Sequence, residues 1–386
     1  MTGTAGQLRV PTTFLQEERL WVAPAPEQSR IADALDSYLS RLDAAVANLE
    51  RAQAKLKAYR VSVLKAAVEG RLVPTEAELA RAEERAFEPA DVLLKRILTE
   101  RRRRWEEAEL AKLKAAGKAP KDDKWKARYQ APAIPDVTKL PALPTGWCWT
   151  TVDATADVKG GITKGQNRAT GTVLLEVPYL RVANVQRGYL DLTEMKTIAA
   201  TADEISDLRL ESGDVLFNEG GDRDKLGRGW VWNGEIETCI HQNHVFRARL
   251  ISDTLRPKFL SIYGNSSGQR YFFDEGKHTT NLASINMTKL KRLPVPLPPL
   301  AEQERIIDEL ERLLSVVSTT ETTIQNEKRR SVRLRQAVLK WAFEGKLVDQ
   351  DPNDEPAEKL LERIRAERAS AAPAKKSCGR KAKAES

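Results

Sequence analysis

Cysteine, histidine and methionine each occur only three times in the 386 residues. Cys148, Cys239 and Cys378 are scattered and form no CxxC pair, which argues against a secreted disulfide framework and fits a reducing cytoplasm. No apolar run approaches the ~20 residues that a membrane-spanning helix needs. The N-terminal stretch "MTGTAGQLRVPTTFLQEERL" lacks the apolar run of a signal peptide. A soluble, cytoplasmic chain is the expectation.

Catalytic signatures are missing as well. The segment "GGITKGQ" at 160–166 has the glycine spacing of a phosphate loop but places Gln166 where a lysine must supply the point charge. It reads as a Gly-rich turn. Cys239, His241 and His244 in "CIHQNH" are zinc-type ligands without a fourth at a convincing spacing. In a strand His244 would face away from the other two. Glu194 and Lys196 form an acidic–x–lysine pair of nuclease type, but the upstream acid, Asp136, lies too far off in a linker. No N-P-P-[FY] methyltransferase motif and no Ser/Cys–His nucleophile arrangement is found. No catalytic residue, metal or cofactor is therefore expected, and a standalone nuclease is the least supported class.

Charge is plentiful but uneven. Charged residues make up 31% of the chain against 41% hydrophobic, and the formal charge is +8. From residue 371 onward five basic residues face one acidic, which leaves about +4 for the whole body. That balance is compatible with a polyanion partner without requiring one.

The strongest pattern is an internal repeat. Residues 27–73 align with 302–348 without a gap at a shift of 275. Identities cluster at the entrance (Glu27/Glu302, Gln28/Gln303, Arg30/Arg305, Ile31/Ile306) and at the exit (Val63/Val338, Leu64/Leu339, Gly70/Gly345, Val73/Val348). The match resumes in "EPADVLLKRI" (88–97) and "EPAEKLLERI" (355–364). In the first copy Leu35, Leu42, Leu49, Leu56 and Val63 recur every seven residues, with Tyr38, Ala45, Ala52, Tyr59 and Ala66 at plus three. The second copy offers Leu310, Val317, Ile324 and Val338, with Leu313 and Leu334 on the second line and Thr320, Glu327 and Ser331 interrupting it. Such heptads mark coiled-coil helices. Two matched helices in one chain are expected to pair with each other, antiparallel or in another orientation. Prolines precede both, and Gly70 and Gly345 stand where helices stop.

Between the copies, 74–113 reads as a charged helical extension. Its run Arg101 to Arg104 is balanced by neighbouring glutamates, a solvated face rather than a phosphate contact. A Pro-rich, extended linker follows at 114–145. From 146 to 299 short alternating apolar runs are punctuated by Gly-Asp, Asn-Gly and Gly-Gly, the signals of strands and hairpins. One α+β domain is expected there. Its turns carry residue types that read bases or grip phosphates: Lys164, Gln166, Asn167 and Arg168; Arg181, Asn184 and Arg187; Arg223, Lys225 and Arg228; Gln242 and Asn243; Lys277, His278 and Asn281.

Three stretches resemble the specificity subunit of type I restriction–modification enzymes. "LPTGWCWTTV" is similar to the start of a target recognition domain, and "VPYLRVANVQRGYLDL" with "LESGDVLFNEGG" to its body. "LPVPLPPLAEQERIIDELERLL" is similar to the junction into a spacer helix and is the most specific of the three. The resemblance implies an α+β fold with one β-rich target recognition domain (146–299) flanked by two long spacer helices (26–73 and 300–348) that pair as an antiparallel coiled coil. It implies no catalytic activity. It implies double-stranded DNA, methyltransferase subunits and restriction subunits as partners. Residues 349–368 are expected as a short helix and 369–386 as a disordered basic tail. The chain departs from the pattern at its start, where 1–25 reads as only the remnant of a first recognition domain. Either a shortened product or self-association to supply a second recognition domain is expected. A coiled-coil scaffold that no longer reads DNA is the alternative.

Overall fold

The computed structural model describes residues 12–371 apart from 119, 121, 166–168, 170, 222–224 and 279–282. The expected basic tail lies almost wholly outside the described residues. Helices are α1 (Thr12–Glu17), α2 (Ala25–Val68), α3 (Glu76–Ala82), α4 (Ala90–Ala115), α5 (Val152–Thr155), α6 (Ala202–Leu208), α7 (Pro257–Asn265), α8 (Gly268–Glu275), α9 (Met287–Lys291), α10 (Leu300–Phe343) and α11 (Ala357–Ala371). The first strands are β1 (Cys148–Thr151), β2 (Ala156–Lys159), β3 (Leu175–Leu180), β4 (Val185–Gln186), β5 (Tyr189–Leu190), β6 (Lys196–Ala200) and β7 (Val215–Asn218). They are followed by β8 (Gly220–Gly221), β9 (Gly229–Val231), β10 (Ile240–His241), β11 (Val245–Leu250), β12 (Lys277–His278), β13 (Ala283–Ser284) and β14 (Pro294–Leu297). No described helix is long and apolar enough to cross a membrane.

Two compact units result, one of residues 1–55 with 319–386 and the other of residues 56–318. In the first, α2 and α10 run antiparallel. Lys328 reaches Gln53 (3.1 Å) and Glu50 (3.6 Å), while Arg335 meets Asp43, so rising numbers on one helix face falling numbers on the other. In the second, Val63 and Ala67 of α2 share one core with Ile306 and Leu310 of α10. Both helices stop at a glycine in the left-handed region, Gly70 and Gly345, each with φ of 66°. The next amide reaches back five residues, from Arg71 to Ala66 (2.9 Å) and from Lys346 to Trp341 (2.8 Å), which satisfies an orphan carbonyl at each end.

The seam differs from the plus-three pattern. Leu35, Leu42, Leu49 and Leu56 are half-buried and Val63 is buried, but the accompanying line falls mainly at plus four, on Leu39, Val46, Gln53 and Ala67 with Arg60 exposed, while of the plus-three residues only Ala52 and Ala66 are half-buried. Tyr38 and Tyr59 point outward, each close to half exposed. On α10 Leu310, Val317, Ile324 and Val338 are buried and Leu313 is half-buried. Leu334 is 43% exposed, and the neighbouring Arg335 pairs with Asp43 at the surface. A heptad with two apolar lines alternates steps of three and four, so plus three and plus four are equally open until packing chooses. Bulky Leu39 and Val46 fill the interface better than Ala45.

The second unit holds the β-rich domain. Its main sheet is antiparallel in the order β2-β11-β7-β9, covered by Phe259 and Leu260 of α7 and Phe272 of α8. Strand β3 pairs with β10 in parallel and with β6 antiparallel. Strand β1 pairs with β14, so the first and last strands of the domain lie side by side where they join the helices. The 114–145 stretch is not uniformly extended. It contains 3-10 turns at Asp123–Arg128 and Val137–Lys139, each capped by the aspartate before it.

Candidate nucleic-acid interface

Backbone hydrogen bonds lace four loops into one face. Ile162 donates to the His241 carbonyl (2.8 Å) and Asn243 donates back to Ile162 (2.9 Å), which joins the Gly-rich turn to the β10–β11 turn. Glu219 donates to His244 (2.9 Å) and Ile285 donates to Glu219 (2.8 Å), which adds the loop after β7 and the β13 segment. Strands β8 and β12 both pair with β13. A Cβ on Gly161 would collide with the His241 carbonyl, so glycine is required for this approach rather than for any bound phosphate.

This face carries Lys164 and Lys277, both exposed, and Gln242 and Asn243, both half-buried. Lys225 and Arg228 are half-buried on the neighbouring loop, and the Arg228 Nε is buried without a hydrogen-bond partner among the described residues. Gln166, Asn167, Arg168, Arg223 and Asn281 lie outside the described residues; His278 is placed in β12. Exposed cations and amides on a laced scaffold can donate to phosphates and base edges.

Three expected readers turn inward. Asn184 is 3% exposed; its amide donates to the Asp191 (2.8 Å) and Glu194 (3.1 Å) carbonyls, and its oxygen accepts from the Arg181 amide (3.0 Å). Arg181 donates to the Glu194 carbonyl (3.0 Å), and Arg187 to that of Asn265 (3.0 Å). These residues hold the 181–194 turn, and a buried amide spent on its own loop is not available to a base. Sequence reading missed Asn218 and Asn265. Asn218 is fully buried and donates to the Val182 and Val185 carbonyls, while Asn265 exchanges hydrogen bonds with the Gly229 backbone. For Asn218 the available signal is an amide closing the apolar run "DVLF" before Gly-Gly.

The zinc-type trio does not converge. Cys239 is buried in a core cluster with its thiol pushed up to about 12 by burial. His241 is buried, its Nδ1 2.7 Å from the Val245 carbonyl, and burial pushes its pKa down to about 4. His244 is exposed and pairs with Glu219. Among the described residues no group of three or more His, Cys, Asp or Glu is placed to hold a metal.

The junction with the second helix copy is a densely hydrogen-bonded polar site. Glu302 is fully buried; one carboxylate oxygen accepts from the Trp147 indole (2.9 Å) and the other from the Glu76 amide (2.8 Å). Burial pushes its pKa up. Gln303 accepts from the Arg256 amide (2.8 Å) and donates to the Thr254 and Pro298 carbonyls (3.0 Å each). Arg305 pairs with Glu76 at 2.6 Å. In the first copy Gln28 likewise donates five residues back, to Ala23 (2.7 Å), and Arg30 pairs with Asp354 (2.7 Å).

A β-rich domain with a laced loop face is thus bonded at both ends to a pair of long helices. Residues 157–328 match the family described as the type I restriction modification DNA specificity domain. The chain is similar to type I specificity subunits over most of its length. It is 25% identical to the EcoKI specificity subunit of Escherichia coli K12 over 359 residues, which is 90% of this chain and 63% of that protein. It is 27% identical to the EcoBI subunit of Escherichia coli, covering 92% and 65%, and 31% identical to the StySPI subunit of Salmonella potsdam over 206 residues, covering 50% and 44%. The HsdS subunit from Thermoanaerobacter tengcongensis, a solved structure, is 18% identical with a TM-score of 0.49, covering 90% of this chain and 65% of that one. The chain thus spans less than two thirds of the length of these relatives.

Proposed function

We propose that this chain is a non-catalytic DNA sequence-specificity subunit of a type I restriction–modification complex. Its domain docks on a target half-site, and its paired helices carry methyltransferase subunits, with restriction subunits joining for cleavage. The observation that carries the reading is the single face made by residues 160–165, 219–221, 241–244, 277–278 and 283–285. It offers Lys164, Gln242, Asn243 and Lys277 on a backbone-bonded support. The test is co-purification with the methyltransferase subunit followed by mapping of adenine methylation in cells. A methylated motif that changes when Gln242 and Asn243 are replaced supports it; absence of any motif overturns it.

Self-association supplies the second recognition domain in this reading. The first unit leaves Leu20 (75%), Trp21 (91%) and Phe343 (69%) exposed. Val68, the repeat counterpart of Phe343, is buried in the core of the second unit. Pairing of two such apolar faces would bring two recognition domains into one assembly.

The scaffold alternative draws on charge. Residues 146–299 hold nineteen Lys and Arg against eighteen Asp and Glu, a weak field for a polyanion. A gel shift across a salt series separates the two readings, because phosphate contacts make affinity fall steeply with salt.

A further inference from the structure

The recognition domain is nearly charge-balanced, whereas the described part of 100–128 holds ten Lys and Arg against six Asp and Glu. That excess of four is half of the chain's formal +8. The segment is not needed for the core. In α4 only Ala90, Leu93 and Ile97 are buried, all in the first turns.

The distal part is nevertheless built rather than loose. Trp105 stacks on Trp125 with ring centroids 6.0 Å apart and meets Tyr129 edge-on at 5.4 Å. The 3-10 turn Asp123–Arg128 is thereby folded back along α4. Arg101 locks the fold-back by donating to the Tyr129 hydroxyl (2.7 Å) and the Gln130 carbonyl (3.0 Å). The arm is fixed to the domain, because Arg101 also donates to the Asp153 carbonyl (3.1 Å) and Asp153 accepts from the Ala133 amide (3.1 Å).

Its charges fall into two sets. Arg102, Arg103 and Arg104 are spent on Glu100, Glu106 and Glu107. Lys112, Lys114 and Lys118 at the tip are exposed and make no ion pair among the described residues. A helix C-terminus favours cations, which accounts for lysines in the last turn. The folded-back Lys124, Lys126 and Arg128 pair with Asp122, with Glu106 and Asp123, and with Glu109 respectively, so the arm's unpaired charge is concentrated on Lys112, Lys114 and Lys118.

The arm's base stands close to the laced face. Lys291 lies 4.0 Å from Asp153, and at the other end of α9 Met287 packs where a Cβ on Gly160 would be, 3.5 Å away. Five residues of helix, on the order of 6 Å of axis, thus separate the anchor of the arm from the Gly-rich turn.

We propose that the described part of 100–128, through Lys112, Lys114 and Lys118, forms a phosphate grip that holds duplex DNA without regard to sequence, beside the bases read by the domain. The grip supplies the charge that the domain lacks, and it rests on the DNA-reading proposal above. The test is titration of the complex co-purified with its methyltransferase subunit against two duplexes, one carrying the mapped motif and one scrambled, across a salt series. In Lys112→Gln/Lys114→Gln/Lys118→Gln the slope of log K against log salt should shrink by about 0.9 for each phosphate no longer neutralised, so by up to about 3. Affinity for both duplexes should fall by the same factor, with the preference between them kept. An unchanged slope with the preference intact overturns the grip and leaves the domain's role standing. A reduced slope with no preference in the parent complex supports the grip and sinks sequence reading instead. Loss of methyltransferase co-purification with DNA affinity unchanged overturns the grip in favour of a protein contact. Failure of the parent complex to bind either duplex overturns both.

Discussion

The indole of Trp147 donates to Glu302 at 2.9 Å across 155 positions of sequence, at a site where the carboxylate is fully buried. Among the described residues it is the only side-chain hydrogen-bond donor to that carboxylate. Trp147→Phe keeps the ring but leaves one oxygen unsatisfied, and an orphaned buried acceptor costs about 1–3 kcal/mol, more for a charged group. Thermal unfolding should show a lower midpoint for the variant. An unchanged midpoint would mean that the bond contributes nothing.

The pH dependence of stability should carry the mark of His241. Its folded pKa of about 4 lies below the unfolded value of about 6.5. A depressed value means that the contribution is present above pH 6.5 and is lost as pH falls through about 4. By linkage it amounts to about 3 kcal/mol. His241→Asn keeps a donor for the Val245 carbonyl and removes the titration. Its unfolding midpoint should fall less than that of the parent chain between pH 7 and pH 4, and parallel curves would refute this.

Leu49 and Ile324 both lie on the helix seam of the first unit, half-buried and 5% exposed respectively. Replacing both by Asp buries two charges without partners, a loss of several kcal/mol. The double variant should lose helical signal in circular dichroism and fail to co-purify with the methyltransferase subunit. Retained assembly would show that the helices are not the scaffold.

Gln242 and Asn243 stand half-buried on the laced face. Each good amide–base pair discriminates by about 1–3 kcal/mol. Gln242→Ala or Asn243→Ala should relax one position of the methylated motif while leaving the salt slope unchanged. A motif identical to that of the parent chain would remove these residues from the reading face.

Trp21→Asp should abolish self-association through the first unit. Light scattering is expected to report twice the 43.2 kDa chain mass for the parent protein and the single mass for the variant. A monomeric parent chain would end this proposal.

Much of the architecture was legible because it is repeated or periodic. A gapless internal match located both helices, and Gly70 and Gly345 marked their ends through a conformation that few other residues adopt. Alternating runs located the domain. The seam's second line was less legible, because the steps to Tyr38 and to Leu39 both satisfy a heptad and only packing distinguishes them. The candidate recognition residues were legible as types and not as directions. Asn184 and Asn243 look alike in sequence, yet one is spent inside its own turn while the other sits on the laced face. That difference depends on hydrogen bonds to Asp191 and Glu194, seven and ten positions away, which no local pattern announces.

Of the five side-chain hydrogen bonds that Glu302 and Gln303 make at the junction, four go to main-chain atoms, at Glu76, Arg256, Thr254 and Pro298. Every residue except proline offers the same amide, and every residue offers the same carbonyl. The fitting is therefore indifferent to most of what it holds, asking of its cargo one indole and a backbone that arrives in the right place. Such a coupling frees the loops of the domain to change residue by residue, or wholesale, while the handle that presents them stays the same.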